Sequence, residues 1–175
     1  EGNQASRPDI RRLRHAEIEN YHQAVDRGDE RHCSPRLGRQ TLKITADTNV
    51  LVRAVVGDDA EQSELAKSVL REAELVALPI PALCEFVWVL SQGYSVSRQD
   101  ISATIKVLIN AANVVVNRSA ADAGLAVLTA GGDFADGVIA FEGQWLGANT
   151  FLSFDKKAVK LAKAQGLSAE ILESA

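Results

Sequence analysis

A chain of 175 residues with 46% hydrophobic content is long enough for one domain with a good core and some chain left over. No stretch approaches the roughly 18 consecutive apolar residues of a membrane span, and the Arg-rich start lacks the apolar centre of a secretory signal, so the expected compartment is the cytoplasm. Residues 1–43 carry 9 Lys and Arg against 7 Asp and Glu, residues 44–175 carry 10 against 16, and His15, His22 and His32 all fall in the first part, which excludes His-dependent triads and most zinc sites from the remainder and leaves carboxylate chemistry.

Residues 1–41 read as a polar N-terminal extension, partly helical or disordered, with weak helical spacing of Ile10, Leu13, Tyr21 and Val25. The expectation is a segment outside the fold, with a partner- or nucleic-acid-binding arm as the functional alternative. The sequence contains no methionine, and the expectation is that the native product begins near Leu42 at an alternative start codon, or that residue 1 results from trimming. Cys33 and Cys84 lack metal-ligand spacing and are expected to be thiols. The domain is placed over residues 42–175.

Within it the pattern alternates strand and helix. Ile44 to Val50 reads as a first, buried parallel strand, because it is nearly continuous in apolar residues. A carboxylate in such a run is costly unless paired, hydrogen-bonded or metal-bound. Asp47 is therefore placed at the carboxyl end of the strand, where ligands of open α/β sheets bind. Asp58-Asp59-Ala60-Glu61 opens a helix to about Ala73. Leu75 to Ile80 is a second strand, and Pro81 starts an apolar helix through Leu90. Ser97 and Asp100 resemble a capping box ahead of Ile101, Ile105, Leu108 and Ile109. Asn113 to Asn117 is a third strand, and Ser119 caps a helix from Ala120 to Ala130, which Gly131-Gly132 breaks. A helix follows from Asp133 to Trp145, then a strand from Thr150 to Phe154. Asp155 caps a last long helix to about Gln165, Gly166 ends it, and Glu170 to Leu172 adds an edge strand. Strands separated by helix-length segments indicate an α/β fold with a parallel sheet and right-handed crossovers.

On this reading Asp47, Glu85 and Asp155 face one crevice, and Asp133 and Asp136, three apart at a helix start, project from one face. Like charges in one site raise each other's pKa, and a divalent cation resolves the conflict. Oxygen-rich sites suit Mg²⁺ or Mn²⁺ and point to phosphodiester chemistry with one or two ions. Simpler roles exist for several of these acids: an Asx turn for Asp47, an offset of the helix dipole for Asp136, and N-caps for Asp133 and Asp155. Glu85, between Cys84 and Phe86 on an apolar helix, is hard to explain as ordinary surface. Asn49 is placed to hold Asp47, with Thr48 and Ser153 as weaker supports of the same kind. Arg53 could bind a phosphate or equally be ordinary surface, and Lys156, Lys157, Lys160 and Lys163 include a helical face that could track a nucleic-acid backbone, with a solvated face as the commoner explanation. No Gly-x-x-x-x-Gly-Lys-Ser/Thr loop exists for a nucleotide.

Four segments, Asp-Thr-Asn-Val-Leu-Val-Arg (47–53), Pro-Ala-Leu-Cys-Glu (81–85), Asp-Phe-Ala-Asp-Gly (133–137) and Thr-Phe-Leu-Ser-Phe-Asp-Lys (150–156), resemble in order and spacing those of PIN-domain nucleases. Within that family the chain is similar to VapC-type toxins of type II toxin–antitoxin pairs. The resemblance implies a PIN-like fold, a central and mainly parallel sheet flanked by helices, and a Mg²⁺- or Mn²⁺-dependent endoribonuclease. It implies that Asp47, Glu85 and Asp136 form the metal site and that Asp155 completes it. It also implies a homodimer and a cognate antitoxin whose tail occupies the active site. Gly137 stands where the family often has Ala, a change expected to loosen its helix without removing a ligand. The alternative is a catalytically silent PIN domain acting as an RNA- or protein-binding module.

Overall fold

Short apolar runs and helix-length amphipathic segments alternate along the chain, and they fold accordingly in the computed structural model, which describes residues 42–173. The expectations for residues 1–41 lie outside the described residues. In order, the elements are β1 (Lys43–Thr45), α1 (Thr48–Val56), α2 (Ala60–Glu72), β2 (Leu75–Leu78), α3 (Ile80–Trp88), α4 (Arg98–Asn110), β3 (Val114–Val116), α5 (Arg118–Thr129), α6 (Phe134–Trp145), β4 (Phe151–Ser153), α7 (Lys156–Ala164) and β5 (Ala169–Ile171). A π-helical turn, Val89–Gly93, extends α3. None of the described helices is long and apolar enough to cross a membrane.

The fold is α/β, with a parallel sheet in the order β1-β2-β3 flanked by helices. Ile44, Val76 and Val114 stand in register across it. The last two strands pair in parallel with each other, Leu152 opposite Glu170, as a separate two-stranded sheet. Two packing clusters follow that division. The larger joins Leu51, Leu83, Phe86, Ile101, Ile105 and Phe134, all fully buried. The smaller joins Val159, Ala162 and Ala169 around Phe151, Leu167 and Ile171.

Two local expectations need correcting. The first strand does not reach Val50; it ends at Thr45, and the apolar residues after Asp47 form α1. Their burial has helical rather than alternating spacing, with Leu51, Val52, Ala54 and Val56 inside while Asn49 is exposed. Gly57, at φ 69°, closes that helix in the left-handed conformation. The cap of α5 is Asn117, not Ser119, because the Asn117 carbonyl oxygen accepts the Ala120 N–H at 3.3 Å. Arg118 then ties the start of α5 to the end of α4 by donating to the Ile109 carbonyl at 2.8 Å and to Asn110 Oδ1 at 2.6 Å. Ser97 does cap α4, accepting the Asp100 N–H at 3.1 Å while its hydroxyl donates to Asp100 Oδ2 at 2.7 Å.

Gly137 has a different role from the one expected. A Cβ there would stand 2.5 Å from the Ala123 carbonyl oxygen and 2.9 Å from Val127 Cγ2. Backbone meets backbone where α6 crosses α5, so the glycine permits the approach that places Asp136. Helix propensity alone favours Gly137→Ala by about 1 kcal/mol, whereas forcing a methyl into a filled contact costs about 1–3 kcal/mol. Urea unfolding of Gly137→Ala is expected to show a net loss on the order of 1 kcal/mol, the overpacking term outweighing the propensity term. A net gain would mean that the two helices part freely.

Candidate functional site

Three of the acids stand at helix starts: Asp47 after β1, Asp133 after α5 and Asp155 after β4. Asp47 lies two residues beyond β1 and caps α1, its Oδ1 accepting the Thr48 N–H at 2.8 Å. Asp133 caps α6 by accepting the Ala135 N–H at 2.8 Å. Asp155 caps α7 by accepting the Lys157 and Ala158 N–H groups at 2.7 and 3.3 Å. In each case the bonds run to Oδ1, and the second carboxylate oxygen makes no hydrogen bond among the described residues. Acids at these positions gain from the positive end of the helix dipole.

Thr48 joins the first of these junctions to α3. Its side chain is almost wholly buried, and Oγ1 donates to Glu85 Oε2 at 2.8 Å. Glu85 itself is exposed, on a stripe of α3 with Pro81 and Trp88, while Leu83, Phe86 and Val87 face the core. Asn49, placed beside Asp47 by sequence, is exposed and makes no hydrogen bond to it among the described residues. The stronger link is thus Thr48, and it runs to Glu85 rather than to Asp47. A buried, β-branched hydroxyl at a helix start is the sequence signal for it.

Asp133, Asp136 and Asp155 share a second neighbourhood. Burial, and then the negative charges of Asp133 and Asp155, push the Asp136 carboxyl above its ordinary pKa. Ser153 supports this corner by accepting the Asp155 N–H at 3.0 Å. Asp136 also lines a crevice of about 180 Å³ with Ala123, Gly137, Ala140 and Ala158. The two neighbourhoods adjoin through α3, which packs on α6. Cys84, next to Glu85, registers this: burial, with the charges of Asp133 and Glu142 adding to it, pushes its thiol up to about 11.

Arg53 is engaged elsewhere. It pairs with Asp58, and Asp58 also accepts the Tyr94 hydroxyl at 2.7 Å. Burial opposes ionisation of Asp58, yet these two hydrogen bonds and the guanidinium charge together hold its pKa below the ordinary value. Lys156 is exposed at the first position of α7.

Whether a cation suits the site depends on donors and on spacing. All the candidate donors are carboxylate oxygens, and no ion pair of the described residues reaches Asp47, Glu85, Asp133, Asp136 or Asp155. That uncompensated oxygen set has the chemistry of a hard divalent ion. The spacing is looser: among the described residues no three of His, Cys, Asp and Glu stand close enough to hold one ion.

The raised pKa of Asp136 has a thermodynamic sign. Above the ordinary carboxylate range the folded state carries the penalty of an ionised, half-buried acid, and below it the carboxyl is protonated in both states and the penalty vanishes. Asp136→Asn, in chelator, is therefore expected to melt at a higher temperature than the parent at neutral pH. Its advantage should fade as pH falls towards about 4. A lower melting temperature at neutral pH would contradict this account of the site.

No protein with a curated description matches the chain. The family model described as PIN domain matches residues 44–164, which run from β1 to the end of α7 and contain Asp47, Glu85, Asp136 and Asp155. The chain belongs to the PIN domain family.

Proposed function

We propose that the protein is a Mg²⁺- or Mn²⁺-dependent endoribonuclease that hydrolyses RNA phosphodiester bonds, and that it serves as the VapC-type toxin of a toxin–antitoxin pair. The PIN fold is a nuclease-type fold, and the observation that carries the reading is the set of acids without ion-pair partners among the described residues at and near helix starts. The homodimer and the cognate antitoxin belong to this proposal and rest on the motif resemblance.

In this reading Asp47, Glu85 and Asp136, with Asp155 assisting, would hold the cation. When bound, such an ion supplies Lewis-acid activation of water and neutralises charge at the scissile phosphate. The chain's own contribution is placement. Asp47 and Asp155 use one carboxylate oxygen for a cap and present the other. Thr48 fixes Glu85 through Oε2, leaving Oε1 for the site. Asp136 keeps its proton to a higher pH than an ordinary carboxyl does.

One observation favours a second reading, a catalytically silent RNA- or protein-binding module: three acids are not gathered at metal distance among the described residues. Cleavage assays separate the two. Purified full-length protein, free of antitoxin, is incubated with a mixed single-stranded RNA panel in Mg²⁺, in Mn²⁺ and in chelator, beside Asp47→Asn. Asparagine caps helices as well as aspartate does, so the variant should fold normally. It is expected to cut more than about 100-fold more slowly, beyond the usual cost of merely disturbing a metal ligand's support. Folded protein that cuts nothing in either metal would favour the silent module, and an undiminished variant would remove Asp47 from the site.

A further inference from the structure

Most aromatic side chains of the described residues are buried or half-buried, but Trp88, Trp145 and Phe154 are 62%, 80% and 75% exposed. Two of these three adjoin the acids. Trp88 lies one turn beyond Glu85 in α3, and residues three apart share a helix face. Glu85 and Trp88 are both exposed while Phe86 and Val87 between them are buried. Phe154 immediately precedes Asp155.

Charge gives these rings a purpose. Residues 44–175 carry 16 acidic against 10 basic side chains, the acids of the site have no basic partner among the described ion pairs, and Arg53 is committed to Asp58. A polyanion approaching the carboxylates meets repulsion, and the cations that follow Asp155 in the chain are the exposed lysines of α7, beginning with Lys156, which make no ion pair among the described residues. Aromatic rings offer a different hold, because every base has a π-face and stacking tolerates any sequence. Only unpaired bases present that face, since those of a duplex are already stacked on one another.

We propose that Trp88 and Phe154 are stacking platforms that hold unpaired bases of the RNA beside the carboxylates, adding base contacts to those that the lysines of α7 offer to phosphate. The proposal rests on the reading of the site as one that acts on RNA, and it specifies the two side chains that grip the bases.

The chain has two tryptophans, Trp88 and Trp145, so Trp145→Phe in the full-length protein leaves Trp88 as the single indole emitter. With Asp47→Asn added to keep the RNA intact, oligoadenylate in Mg²⁺ is expected to quench that emission, and duplex RNA of equal length is not. Trp88→Ala and Phe154→Ala should each weaken oligoadenylate binding about 10-fold, measured with end-labelled RNA, while Trp88→Phe retains most of it. Absence of quenching, unchanged binding by Trp88→Ala, or a blue-shifted Trp88 emission that depends on protein concentration, as if a second copy covered it, would each overturn the proposal. The parent's cleavage of the RNA panel is read in parallel. Cutting without quenching overturns the stacking platforms alone, and quenching without cutting keeps them while overturning the nuclease reading.

Discussion

The hydrogen bond between an aspartate and the first free N–H groups of a helix organises this protein. Helix starts leave backbone donors without partners and carry a partial positive charge. Asp47, Asp133 and Asp155 satisfy those donors at α1, α6 and α7. The caps fix the acids at the ends of strands and loops where the chain turns into helix, and none of the three enters an ion pair among the described residues. Asp47 follows β1 of the three-stranded sheet, Asp155 follows β4 of the two-stranded one and Asp133 follows α5, so what the three acids share is a helix start rather than one sheet edge.

Much of this was legible in the sequence because each cap is a local pattern. Asp133 and Asp155 precede amphipathic helices, and both proved to be caps. The apolar face of α4 was readable from the spacing of Ile101, Ile105, Leu108 and Ile109, which are buried. The first strand is shorter than its apolar run suggests because such a run fits strand and buried helix alike; burial of Leu51, Val52, Ala54 and Val56 is set by tertiary packing. Ser119 and Asn117 are both capping types two residues apart, and only the reach of the Asn117 side chain to Ala120 decides between them. Long-range relations were not legible. The bond from Thr48 to Glu85 spans 37 positions, and the contact that requires Gly137 comes from the neighbouring helix.

The same arrangement sets a tension between stability and chemistry. Asp136 is half-buried beside two further acids, a position that costs folding energy when it is ionised. The fold accommodates it through close packing of α6 on α5, where Gly137 lets the backbones meet, and through a crevice lined by alanines. Asp58 has the opposite surroundings: Arg53 and Tyr94 satisfy it, and its pKa falls. One acid is compensated and the other is not, and the uncompensated one is among the four acids proposed to hold the cation.

The central claim is that Asp47 with Glu85, and Asp136 with Asp155, are two halves of one cation site. Calorimetric titration of Mn²⁺ into the full-length parent, Asp47→Asn and Asp136→Asn tests it without reference to activity. The account predicts that the parent binds the ion and that either substitution removes that binding, because each takes a ligand from the same ion. Binding that survives unchanged in either variant would show that the two halves do not share a cation, and would contradict the account.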